Sequence, residues 1–168
     1  DPGDHRIIGY SEPRFSFGIM GGLQWRDFDF DVFFQGIGKK DVVLGGNQFW
    51  GFGNEWHVPF KHALDSWTED NRNAYFPRST YDNVTGNRET QTRYLQNAAY
   101  LRLKSITLGY SLPKALLGKW KIDHVRFYVS GQNLLTFDHL FDIYDPETVS
   151  LSTYPLTKSV SFGLNITL

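Results

Sequence analysis

The 168-residue sequence contains no cysteine, so a disulfide framework, a thiolate metal site and a cysteine nucleophile are all excluded. Its formal net charge is −1 at pH 7, which gives no electrostatic case for nucleic acid or for an anionic membrane surface. No stretch approaches the roughly 18 apolar residues in a row that a transmembrane helix needs. The opening DPGDHRIIG carries no apolar signal region, as expected of a mature chain or an internal piece. Gly-x-Ser-x-Gly, Walker and dinucleotide-binding patterns are also missing.

Aromatic residues and glycine are plentiful instead: 14 Phe, 9 Tyr, 5 Trp and 16 Gly, against a single Met. That balance favours strands and loops over helices. Mean hydropathy is negative, which a transmembrane β-barrel tolerates because its strands alternate apolar with polar residues.

Period-2 alternation marks strands, because successive side chains point to opposite faces. It predicts five of them, near residues 14–25, 28–36, 99–111, 124–133 and 157–168. In the first, Phe15, Phe17, Ile19, Leu23 and Trp25 share a face; in the second, Phe28, Phe30, Val32 and Phe34 do. The parity suits a hairpin turning at Arg26 and Asp27, although Arg-Asp is a poor sequence for a primed turn. Asp29, Asp31 and Gln35 fall on the opposite face, where they need water. In the third strand Ile106, Leu108 and Tyr110 share one parity while Leu101 and Leu103 hold the other, which calls for a bulge or a change of environment along the strand. Ser111 is placed to cap one helical turn that Pro113 opens and Gly118 closes. In the last strand Val160, Phe162, Leu164, Ile166 and Leu168 alternate with Ser159, Ser161, Gly163, Asn165 and Thr167.

Short connections alternate with long ones, over residues 37–98 and 134–156, as they do between the two ends of a transmembrane barrel. Trp25 and Tyr110 then lie beside the short turns, where an interfacial aromatic girdle belongs. A soluble sandwich or lipocalin-like barrel also alternates, and periodicity alone leaves it open. Against it, a connection of roughly 60 residues is suspect inside a compact domain. Five strands also leave two open edges.

The stretches YLRLKSITLGYSLPK, VRFYVSGQNLLTF, YDPE and SFGLNITL resemble the C-terminal end of SusC/RagA-type TonB-dependent outer-membrane transporters of the Bacteroidetes. IIGYSEPRFSFGI, FDFDVFFQGIGKKD and WTEDNRNAYFPR resemble that family too, in order and over nearly the whole chain, most weakly at residues 38–60. The resemblance implies an all-β chain that supplies the last five or so antiparallel strands of a large transmembrane barrel of about 22. Loops 37–98 and 134–156 would be extracellular, and the C-terminus would lie on the periplasmic side of a bacterial outer membrane. It implies import of a glycan or peptide nutrient. The implied partners are the remainder of the barrel and its plug, a SusD-like surface lipoprotein, outer-membrane lipid, and the TonB complex through an N-terminal part that this chain lacks. Ser161, Gly163, Ile166 and Leu168 occupy the places of a barrel assembly signal, with Leu168 where an aromatic residue is commoner. A soluble β-sheet glycan-binding module is the alternative.

No enzyme chemistry, cofactor or metal site is expected. His5, His57, His62, His124 and His139 lack metal-ligand spacing, and Asp29 and Asp31 have no third group to complete a mechanism. Gly36, Gly38 and Lys39 superficially suggest a phosphate loop, but a strand-to-loop transition explains them better. Asp1 and Asp4 stand where the family often ends a calcium-loop-like stretch, and only a surface loop is expected there. The aromatic run Phe49, Trp50, Phe52, Trp56, Phe60 and Trp67 suits a self-supporting loop lobe better than a binding face. If any residues touch substrate or a lid protein, Trp50 and Trp56 are the candidates.

Overall fold

The computed structural model describes residues 6–51, 56–80, 86–118 and 122–168. In chain order they form β1 (Phe15–Trp25), β2 (Phe28–Gly38), β3 (Asp41–Val43), α1 (Asn47–Trp50), β4 (Leu95–Asn97), β5 (Tyr100–Ser111), α2 (Lys114–Leu117), β6 (His124–Asp138) and β7 (Ser159–Thr167). Two compact units result, residues 12–40 with 97–168 and residues 1–11 with 41–96.

The larger unit is a five-stranded sheet in the order β1-β2-β5-β6-β7, each neighbour antiparallel. Register sorts its side chains into two faces. Trp25 pairs with Phe28, Phe28 with Tyr110 and Tyr110 with Phe127, so one row of aromatics crosses four strands on a single face. Further along the same face, Leu23, Phe30, Leu108, Val129 and Phe162 make a second row. The opposite face carries the rows Asp29, Gly109, Tyr128, Gly163 and Asp31, Thr107, Ser130, Ser161.

A bulge resolves the parity change in the third predicted strand. Phe33 pairs with Ser105 but Phe34 with Leu103, so Lys104 is the extra residue. The bulge turns Leu103 and Leu101 back onto the face of Ile106 and Leu108, and Arg102 onto the polar face. On the other side of β5, Leu103 pairs with Leu135 and Ser105 with Gln132, and Asn133 takes up the irregularity at φ 52°.

The tight turn between β1 and β2 is tolerated without glycine. Arg26 sits at φ 54° and its guanidinium lies 5.1 Å over the Trp25 ring. Gly36 lies within β2 and Gly38 ends it, and the chain leaves the strand at Lys39 with φ 40°, the expected strand-to-loop transition. The Phe17 and Phe15 rings cover them, and a Cβ at Gly36 would stand 2.5 Å from Phe17 Cζ. The helical turn α2 begins after Pro113 without a side-chain cap; Ser111 ends β5, and its Oγ instead meets His124 Nε2 at 3.2 Å.

The smaller unit is built almost without sheet. Beyond the short β3–β4 ladder it consists of single turns, and its core is aromatic. Phe49 is wholly buried, with Trp50, Tyr75 and Phe76 set edge-on around it at centroid distances of 5.0, 6.5 and 5.2 Å.

Candidate functional site

The polar face of the sheet is organised by Arg126. Its Nε donates to Asp29 Oδ1 at 2.8 Å and its Nη2 to Asp29 Oδ2, a two-pronged pair that joins β6 to β2 across β5. Gly109 makes the crossing possible, because a Cβ there would stand 2.5 Å from Asp29 Oδ2 and 2.6 Å from Arg126 Nε. The same guanidinium lies 5.1 Å over the Tyr128 ring, which in turn covers Gly163 of β7. Asp29, Arg126, Tyr128 and Gly163 thus form a continuous strap over four strands. Asp31 lies against Gly22 of β1, and its charge also acts on Arg126, whose two-pronged bond is made to Asp29.

A second knot ties the connection after β6 to the wall. Arg102, only 2% exposed, donates to Asp145 Oδ2 at 2.6 Å, Glu147 Oε2 at 2.7 Å and Thr136 Oγ1 at 2.9 Å. Lys104 Nζ reaches both Glu147 oxygens at 3.0 Å. Burying a guanidinium is costly unless its donors are met, and here both carboxylates come from the YDPE stretch. Arg102, Lys104 and Arg126 were not singled out from sequence. The bulge at Lys104 hides from simple alternation that Arg102 shares the polar face, and nothing local in β6 marks Arg126 as the partner of Asp29.

In the lobe the structure separates the two tryptophan candidates. Trp50 packs edge-on against Tyr94 at 4.7 Å and against Phe76 at 6.2 Å, so most of its ring serves the aromatic core. Trp56 is 84% exposed. Burial raises the Tyr75 and Tyr94 hydroxyls above the ordinary tyrosine value. His62 Nε2 meets the Phe49 carbonyl at 2.9 Å and His57 Nε2 meets Asn47 Nδ2 at 3.0 Å. Among the described residues no three His, Cys, Asp or Glu side chains group as metal ligands. Asp1 and Asp4 lie outside the described residues.

The four assembly-signal candidates divide between the faces of β7. Ser161 and Gly163 stand opposite Ser130 and Tyr128 on the polar face. Ile166 stands opposite Val125 on the apolar face, and Leu168, 87% exposed, follows the strand's last paired residue.

No family model matches the chain. It is 29% identical to TonB-dependent receptor P3 of Formosa agariphila over 97% of its own length, and 27% identical to TonB-dependent receptor P26 of the same organism over 98%. It spans only 17% and 18% of those relatives. Among solved structures, the RagAB peptide importer in its "open-open" state superposes with a TM-score of 0.73 at 29% identity, over 97% of this chain and 18% of that one. The "closed-closed" state gives a TM-score of 0.71 at 29% identity, over 96% of this chain and 18% of that one.

Proposed function

Because the chain resembles SusC/RagA-type TonB-dependent outer-membrane transporters in sequence and in fold over nearly its whole length, we propose that it builds part of the barrel wall of such a transporter and serves nutrient import. It lies in the bacterial outer membrane and is not an enzyme. Residues 1–168 form the C-terminal part of the barrel, with loops 37–98 and 134–156 outside the cell and the last residue on the periplasmic side. Ser161, Gly163, Ile166 and Leu168 serve as the assembly signal. The cargo is a glycan or a peptide, and likeness to a peptide importer supports the second. A SusD-like lipoprotein covers the outer mouth, and the TonB complex acts through the remainder of the protein.

The observation that carries this reading is the apolar face of the sheet. Phe15, Ile19, Leu23, Phe127, Phe162 and Leu164 are all exposed on it, spread over three strands, while the other face is polar and crossed by ion pairs. A soluble module would bury such a face; a lipid-facing wall presents it. A strand of 11 residues, tilted as barrel strands are, spans about 25 Å of apolar band.

Single cysteines at exposed Asp70 and Lys114, in the full-length protein in intact cells, test it. An impermeant thiol reagent should label Asp70→Cys at once and Lys114→Cys only after the outer membrane is opened. Equal labelling of both on a soluble species would refute the barrel reading.

A further inference from the structure

We propose that the loop lobe holds a binding site for an anionic group of the cargo, a carboxylate, sulfate or phosphate, formed by Arg72, Arg78 and Arg93. The inference rests on the import reading and narrows its substrate class. The lobe contains a cleft of about 350 Å³ that these three guanidinium groups line together with Trp67, Asn87 and Gln91. Among the described residues no carboxylate lines it.

The contrast with the sheet is what gives the cleft meaning. There, Arg102, Lys104 and Arg126 each hold a carboxylate. In the cleft, Arg72 Nε donates to the Glu69 carbonyl at 3.2 Å, and Arg93 donates to the carbonyls of Tyr75, at 3.0 Å, and Ala74. Arg78 makes no hydrogen bond or ion pair among the described residues. Three cations therefore face one cavity whose described lining holds no carboxylate, an arrangement whose mutual repulsion an anion relieves.

The chemistry fits such a ligand in detail. A guanidinium presents its N–H groups as a fork that matches the oxygens of a carboxylate, sulfate or phosphate. The two carbonyl bonds fix Arg93 before any ligand arrives, which lowers the entropy lost on binding. Asn87 and Gln91 add neutral donors, and the Trp67 ring, 38% exposed, offers a face for an attached ring or chain. The volume suits one or two sugar- or residue-sized units, so the site would grip a charged portion of a larger cargo.

The test is protection of arginines from phenylglyoxal in the full-length detergent-solubilised protein, read residue by residue by peptide mass spectrometry. The probes are succinate, its neutral counterpart succinamide and inorganic sulfate, all at an ionic strength held constant with chloride. Succinate and sulfate should slow modification of Arg72 and Arg78 by about tenfold at saturation, the scale of one charge-assisted hydrogen bond, and succinamide should not. The ion-paired Arg102 and Arg126 should be insensitive to every probe. In Arg78→Gln, protection of Arg72 should fall several-fold, because the shared anion loses a partner. Equal protection by succinamide, or none beyond the chloride control, would overturn the site. So would arginines already shielded in native membranes but freed by detergent extraction, since that pattern assigns them to lipid phosphate. Asp70→Cys labelling on the same preparation's parent cells separates the two readings: correct surface labelling without protection sinks the cleft alone.

Discussion

The phenol ring of Tyr128 lies over the bare backbone of Gly163 on the neighbouring strand, leaving no room there for even a methyl group. Gly163→Ala should therefore strain the β6–β7 junction by about 1–3 kcal/mol, the usual scale of overpacking. We expect a smaller fraction of heat-modifiable, folded barrel in unheated gels. Adding Tyr128→Ala should restore part of that fraction. Failure of the double variant to recover any would show that Gly163 matters for recognition by assembly factors and not for shape.

The pair between Asp29 and Arg126 crosses a water-facing wall, with both side chains about one-fifth exposed, so screening keeps its worth modest. Asp29→Asn should cost about 1 kcal/mol or less. Gly109→Ala should cost more, because a Cβ would wedge between both partners. Thermal unfolding in detergent, followed by the shift in gel mobility, ranks the two; the reverse order would refute the crossing geometry.

Arginine placed at Phe162, 84% exposed on the apolar face, should cost about 2–4 kcal/mol if the residue sits near the bilayer midplane. Arginine at its neighbour Ser161, on the polar face, should be tolerated far better. Equal loss of folded protein in both variants would mean that β7 does not border lipid.

Glu147 neutralises both Arg102 and Lys104, so Glu147→Gln should leave Arg102 with Asp145 as its one carboxylate and Lys104 with none in this knot. A destabilisation of about 1–3 kcal/mol is expected, local to the connection after β6. Hydrogen exchange should quicken across residues 139–150 and stay unchanged in β1 and β2. Uniform quickening would instead make the knot a global support.

Tyr75 and Tyr94 carry hydroxyl pKa values raised above 10.0 by burial in the lobe. A raised folded value means that the stability tied to the neutral phenol is complete below pH 10 and drains away as pH climbs from 10 through the folded values. Limited proteolysis of the lobe should accelerate over that alkaline window. Tyr75→Phe should abolish part of the effect.

The strands were legible in the sequence because a wall between two solvents forces period-2 alternation on every residue it contains. Parity put Trp25 and Phe28 on one face, and the connection lengths put Trp25 and Tyr110 beside the short turns; the register that aligns Phe28 with Tyr110 was not legible. Nor were the lateral partners. Asp29 and Arg126 lie 97 residues apart, and nothing local in either strand announces the other. β6 runs on to Asp138, past the expected end at 133, because Asn133 breaks the alternation with a left-handed backbone and the ladder resumes beyond it. The expected cap at Ser111 failed since that residue is still paired in the sheet with Arg126. The lobe was legible only as an aromatic-rich loop. Which of its rings face inwards depends on turns with no repeating pattern, so the positions of Trp50 and Trp56 had to come from coordinates.

The single extra residue at Lys104 acts as a phase shifter between the two halves of β5. Its charge serves the pair with Glu147, but its presence alone sets the phase of the strand. Deleting it would turn the half of β5 before the bulge inside out, sending the Arg102 charge onto the apolar face and Leu101 and Leu103 onto the polar one. In a set of relatives this position should therefore refuse gaps even where Glu147 and the lysine are both replaced, and any lineage that lost it should show a matching loss or gain in the facing strand.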